Sequence, residues 1–137
     1  MTNNLLSVII DRSKWSTGNP NSMTKFWTRD KSGSSNFMET IKGGFCCLGF
    51  ACEALGAEYL IGIGHPRVLI GAEKTSKEIS GKIYDTFLSN RLRCDTTQEL
   101  IEANDDSFYT DAERELRIKL GFEVLGLEAI FVGEYPY

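Results

Sequence analysis

The chain has 137 residues, 42% of them hydrophobic and 25% charged, which suits one globular domain and excludes a disordered, collagenous or coiled-coil chain. It sets 15 Lys and Arg against 19 Asp and Glu, and the net charge of −4 speaks against nonspecific nucleic-acid binding, which needs a basic field to displace counterions. No apolar run nears the roughly 20 residues that cross a bilayer, and the opening lacks a signal peptide's basic start, so we expect no membrane partner and a cytosolic protein with reduced thiols.

Residues 1–4 read as a short tail. Leu5 to Ile10 is a compact, β-branched apolar run that stops at Asp11-Arg12, the pattern of a buried strand. Ser16 to Ser22, with Gly18, Asn19, Pro20 and Asn21, has the residues of a loop. Phe26-Trp27-Thr28 reads as a second short strand and Lys31 to Asn36 as a second loop. After Gly43-Gly44, apolar side chains at 47/48, 51/52 and 55 predict a helix over Phe45 to Leu55, stopped by Gly56. Glu53 is its single charge, so this helix should lie at the centre of the core.

Tyr59 to Gly64 reads as extended and ends at the turn His65-Pro66, before the short apolar run Val68-Leu69-Ile70. Three Thr-x-x-Glu patterns follow, at 75–78, 96–99 and 110–113, and each can form a capping box. They predict a helix with Ile79, Ile83 and Phe87 on one face, a short helix Thr97 to Ala103, and a long helix Asp111 to Leu125 stopped by Gly126. Leu127 to Val132 closes as a strand. The expected class is α+β, one domain over 1–137, with a small sheet packed on the central helix and the long C-terminal helix.

Three blocks carry a resemblance. They are Asp11-Arg12-Ser13-Lys14-Trp15, then Phe45-Cys46-Cys47-Leu48-Gly49-Phe50, then Asn104-Asp105-Asp106 leading into Thr110-Asp111-Ala112-Glu113-Arg114-Glu115. Together they resemble a family of small uncharacterised proteins encoded by tailed bacteriophages, over nearly the whole chain except residues 74–95. The resemblance implies a phage origin and a host-cytoplasmic location. It implies no established reaction, cofactor or catalytic residue. By analogy with other small phage proteins, antagonism of host defence, including capture of nucleotide-derived signals, comes into view.

The chemistry-bearing residues admit competing readings. Cys46, Cys47 and Cys52 could suggest zinc, but adjacent cysteines diverge by about 100° on a helix and Cys94 is distant, so packed thiols are the expected role. Cys46 or Cys47, near a helix start, could be a nucleophile with His65 as base. Gly43-Gly44 before a helix could hold an anion on free N–H groups or be a tight turn. Arg12, Lys14 and Trp15, with Lys25, Phe26, Trp27 and Arg29, interleave cations with aromatics, as a phosphate fork and a stacking surface require, or as half-buried strand ends do. Asp105 and Asp106 could accept ribose hydroxyls, hold Mg²⁺, or simply form an Asx turn. In the last helix, Ile118, Phe122 and Leu125 form one stripe, and Leu116, Leu120 and Val124 a second. A second stripe needs burial on two sides or a partner chain, and a homodimer is the expected partner arrangement.

This inventory favours capture over turnover. The expected function is a phage accessory protein that sequesters a small phosphorylated or nucleotide-like ligand, such as a host immune signal. The expected ligand-binding residues are Arg12, Trp15, Trp27, Arg29, Gly43, Gly44, Asp105 and Asp106, with no catalytic residue, metal or cofactor. Two alternatives stand beside it: a protein–protein inhibitor of a host factor, and a cysteine- or carboxylate-dependent hydrolase.

Overall fold

In the computed structural model the described residues are 4–19, 46–57, 65–72 and 75–137. Alternation decides the first strand. In β1 (Leu6–Asp11), Val8 and Ile10 are buried while Ile9 between them faces outward. β1 pairs in parallel with β2 (Leu127–Val132), Leu6 opposite Leu127 and Asp11 opposite Val132. A parallel pair needs a long crossover, and the helices between the two strands supply it. Together they make the α+β architecture expected from the sequence.

Helix α1 (Cys47–Ala54) starts after an extended Cys46 and buries every residue from Cys47 to Cys52. It is the central core helix, two residues shorter at its start than expected. Gly56, at φ +102°, turns the chain away in the left-handed region that glycine enters without a Cβ penalty. The run around Val68-Leu69 forms a single 3-10 turn (Pro66–Leu69), because Pro66 presets a helical φ and the His65 ring accepts the Arg67 N–H at 3.1 Å.

Two of the three expected caps are corrected. Helix α2 (Lys77–Phe87) is capped by Ser76, not Thr75: the Ser76 hydroxyl accepts from the Ile79 N–H at 3.1 Å. Ile83 and Phe87 are buried as expected. Helix α3 (Arg91–Asp105) begins far before Thr96, at Asn90, whose side chain accepts from the Arg93 N–H at 2.9 Å. Thr96 and Thr97 lie inside it, and the single Thr97 hydroxyl proton has the carbonyls of Arg93, at 2.8 Å, and Phe87, at 3.1 Å, as its two acceptors in reach. The third cap is present. Thr110 and Glu113 form a reciprocal capping box on helix α4 (Asp111–Val124).

The core lies between these parts. α1 packs on β1, α4 on β2, and α3 touches α1, α2 and α4. None of the described helices is long and apolar enough to cross a membrane. The expected strand Phe26–Thr28, the loop Lys31–Asn36 and the extended stretch Tyr59–Gly64 lie outside the described residues.

Candidate functional site

The three blocks that carry the phage resemblance meet at one buried amide. Asn104, near the end of α3, accepts at Oδ1 from the Trp15 indole N–H (2.8 Å) and the Cys47 backbone N–H (3.0 Å). Its Nδ2 donates to the Ser16 carbonyl at 2.9 Å and to Asp105 Oδ1 at 3.0 Å. All four side-chain hydrogen-bonding positions of an amide are thereby filled. The Asn104 carbonyl also accepts from the Gly18 N–H at 2.8 Å. A Cβ on Gly18 would stand 2.0 Å from the Asp105 carbonyl oxygen, so only glycine lets the two segments approach this closely.

This hub changes the role of Trp15. Expected as a stacking surface, it is 2% exposed and packs against Phe131 and Tyr135, with ring centroids 5.2 and 6.1 Å away. It is a core residue, because its only polar atom is satisfied internally. The hub also occupies the start of α1, where the first helical N–H, on Cys47, already has Asn104 as its partner.

Arg12 is committed in a similar way. Its Nε and Nη2 fork onto Glu115 at 2.9 and 2.7 Å, and Nη1 donates to the Gly133 carbonyl at 3.0 Å. Tyr135 donates its hydroxyl to the same Glu115 carboxylate. Burial pushes the Glu115 carboxyl upward, but the hydrogen bonds from Arg12 and Tyr135 outweigh it and hold the group below its ordinary value. Burial, then the Glu115 acceptor, raises the Tyr135 phenol. Beside this network lies an open cleft of about 730 Å³, lined by Arg12, Asp111, Glu115, Glu134, Tyr135 and Tyr137 among others. Three carboxylates face one guanidinium there, and that guanidinium is already paired. The cleft disfavours an anion.

Asp105 and Asp106 build a turn. Asp106 Oδ1 accepts from the Phe108 N–H at 2.8 Å, an Asx turn, and Asp105 accepts from Asn104. The Asp106 carbonyl takes two donors from Arg114, which is fully buried and also reaches the carbonyls of Ala103 and Tyr109. Arg114 therefore satisfies the end of α3, where the helix dipole favours a cation. Composition gave no signal for this buried arginine.

The thiols do not form a reactive centre. Cys46, Cys47 and Cys52 are buried and Cys94 is exposed, all four free. Burial, reinforced by Cys47 and by the Asp105 charge, pushes the Cys46 thiol well above its ordinary value, and burial raises Cys52 likewise. Cys47 points its thiol at the Leu100 carbonyl. His65 is lowered by burial and by the charge of Arg67. Among the described residues no group of three or more His, Cys, Asp or Glu is arranged to hold a metal ion. Trp27, Arg29, Gly43 and Gly44 lie outside the described residues.

The second apolar stripe of α4 is the feature left over. Leu116, Leu120 and Val124 are 58, 54 and 45% exposed, while Ile118, Phe122 and Leu125 fill the core on the opposite side. Beside the stripe, α3 and α4 enclose a groove of about 410 Å³ lined by Leu100, Ala103, Tyr109, Leu120 and Val124, with Glu99, Glu102 and Arg117 also on its walls. Arg117 lies over the Tyr109 ring at 4.5 Å. Comparison of the chain with protein-family models, curated proteins and solved structures finds no match.

Proposed function

We propose that this protein acts by docking against another polypeptide through the outer face of α4, as a non-catalytic accessory protein. The exposed line of Leu116, Leu120 and Val124 carries this reading. Apolar surface left in water forgoes about 25 cal/mol per Å², and contiguous patches of it on a folded domain mark interaction sites. The turnover reading has less support, since Cys46 and Cys47, its candidate nucleophiles, are buried. Ligand capture rests on Trp27, Arg29, Gly43 and Gly44, because Arg12 and Trp15 are engaged within the fold. The resemblance to tailed-phage proteins supports a host-cytoplasmic setting and a host factor or a second copy as the polypeptide bound.

A photo-crosslinking residue placed at 120, with one at 112 as control, tests this in producing cells. A discrete polypeptide adduct at 120 alone is expected. The reading fails if position 120 gives none while calorimetry finds a nucleotide-like ligand whose binding Trp27→Ala and Arg29→Ala abolish.

A further inference from the structure

We propose that the chain pairs with a second copy of itself through the outer edge of β1, the two strands running antiparallel about a two-fold axis at Val8. This surface is separate from the outer face of α4. The ladder shows which groups are open. The Leu6 N–H donates to the Gly126 carbonyl and the Arg12 N–H to the Val132 carbonyl. In a parallel ladder, residues that bond to the neighbouring strand alternate with residues that turn away from it. Leu6, Val8 and Ile10 therefore face β2, while Ser7 and Ile9 turn their N–H and C=O groups to the other side. None of the described residues bonds those four groups, and Ser7 and Ile9 are both exposed. On β2 the outward-turned Leu127 and Ala129 are buried instead. The β1 edge is also unguarded. Leu5 to Ile10 carries no proline and no charge, two of the devices that keep edge strands apart.

Hydrogen-bond geometry selects the direction. A two-fold at Val8 sets Ser7 opposite the other copy's Ile9, and Ile9 opposite its Ser7. Each pair exchanges both of its bonds, so every open group of Ser7 and Ile9 on both copies finds a partner. Parallel pairing of the same two edges does not close. It needs the bonding residues of the strands staggered by one position, and a shift along the strand is not a two-fold. A second copy is the favoured strand because its β1 is already held extended by its own β2. A free peptide would lose backbone conformational entropy at each residue to match it. One strand pair buries less than the usual 800 Å² or so per partner, so the dimer is weak, with a Kd between about 1 μM and 1 mM.

Sedimentation equilibrium of the full chain should show a reversible monomer–dimer equilibrium. Amide hydrogen exchange should find Val8 and Ile10 protected at every concentration, and Ser7 and Ile9 protected only as the dimer fills. Ser7→Pro and Ile9→Pro each remove an edge donor outside the β1–β2 ladder, so each should weaken the dimer at least tenfold while the chain stays folded. In a Cys94→Ser background, Ser7→Cys and Ile9→Cys should link to one another on oxidation, and neither should link to itself. A chain monomeric up to about 1 mM, a dimer whose Ser7 and Ile9 amides stay unprotected, or ready self-linking of Ile9→Cys overturns the proposal. So does a dimer that Leu120→Glu abolishes and Ile9→Pro leaves intact, which would move the contact to α4.

Discussion

The Trp15 indole N–H donates to Asn104 Oδ1 at 2.8 Å across 89 residues, and the same oxygen receives the first helical N–H of α1. One amide thus fixes the end of β1's loop, the start of the core helix and the end of α3 against one another.

Asn104→Ala leaves two buried donors and the Ser16 carbonyl without this partner, and should cost about 3 kcal/mol in chemical denaturation. Trp15→Phe removes one of those donors and should cost about 1 kcal/mol through hydrogen bonding, beyond its packing loss. In the Asn104→Ala background the hydrogen-bonding part of that cost should vanish, since the indole is already orphaned. Strict additivity of the two changes would show that the bond contributes nothing.

Two glycines make opposite forecasts. A Cβ at Gly18 meets backbone, 2.0 Å from the Asp105 oxygen, and Gly18→Ala should destabilise by about 3 kcal/mol or more. At Gly121 the Cβ meets a side chain rather than backbone, 2.7 Å from Cδ2 and 3.1 Å from Cγ of Leu100. Gly121→Ala gains about 1 kcal/mol of helix propensity against that contact, so its melting temperature should stay near wild type.

Thiol titration separates the cysteines by burial. In native protein at neutral pH one thiol, Cys94, should react promptly, and the other three only after unfolding. Rapid modification of Cys46 would revive the nucleophile reading.

The Arg12–Glu115 pair sets an acid limit. The Glu115 carboxyl is held below its ordinary value, so its contribution is complete above the unfolded value of about 4.3 and is lost as pH falls through the lowered folded value. Glu115→Gln should cost about 1 kcal/mol at pH 7, with solvent screening included, and nothing well below pH 4. Denaturation curves for both proteins at pH 7, 5 and 3 check this, and a gap that widens toward low pH would contradict it.

What the sequence disclosed followed local rules. The apolar run before Asp11, the Thr110–Glu113 box and the glycines Gly56 and Gly126 after α1 and α4 are signals of a few residues, and each marks the element it implies. Thr75 and Thr96 fit the capping pattern, but Ser76 and Asn90 make the caps, and only the path of the backbone decides which side chain meets the free N–H. The site was less legible for a related reason. Arg12 and Trp15 look like binding residues because cations and aromatics bind ligands, but Glu115, Tyr135 and Asn104, more than 85 residues away, engage them first. The α4 stripe was readable because both of its faces are written in one helical repeat.

The parallel pairing of β1 with β2 sets the order in which the chain can be completed. Ser7 and Glu128 are bonded across 121 residues, so a nascent chain exposes the apolar run of β1 until nearly everything up to Val132 has left the ribosome. Helices form locally meanwhile, but the sheet and the core face it covers must wait. During synthesis the first strand is therefore a segment in need of a chaperone, and a ribosome stalled before Leu127 should hold an aggregation-prone intermediate.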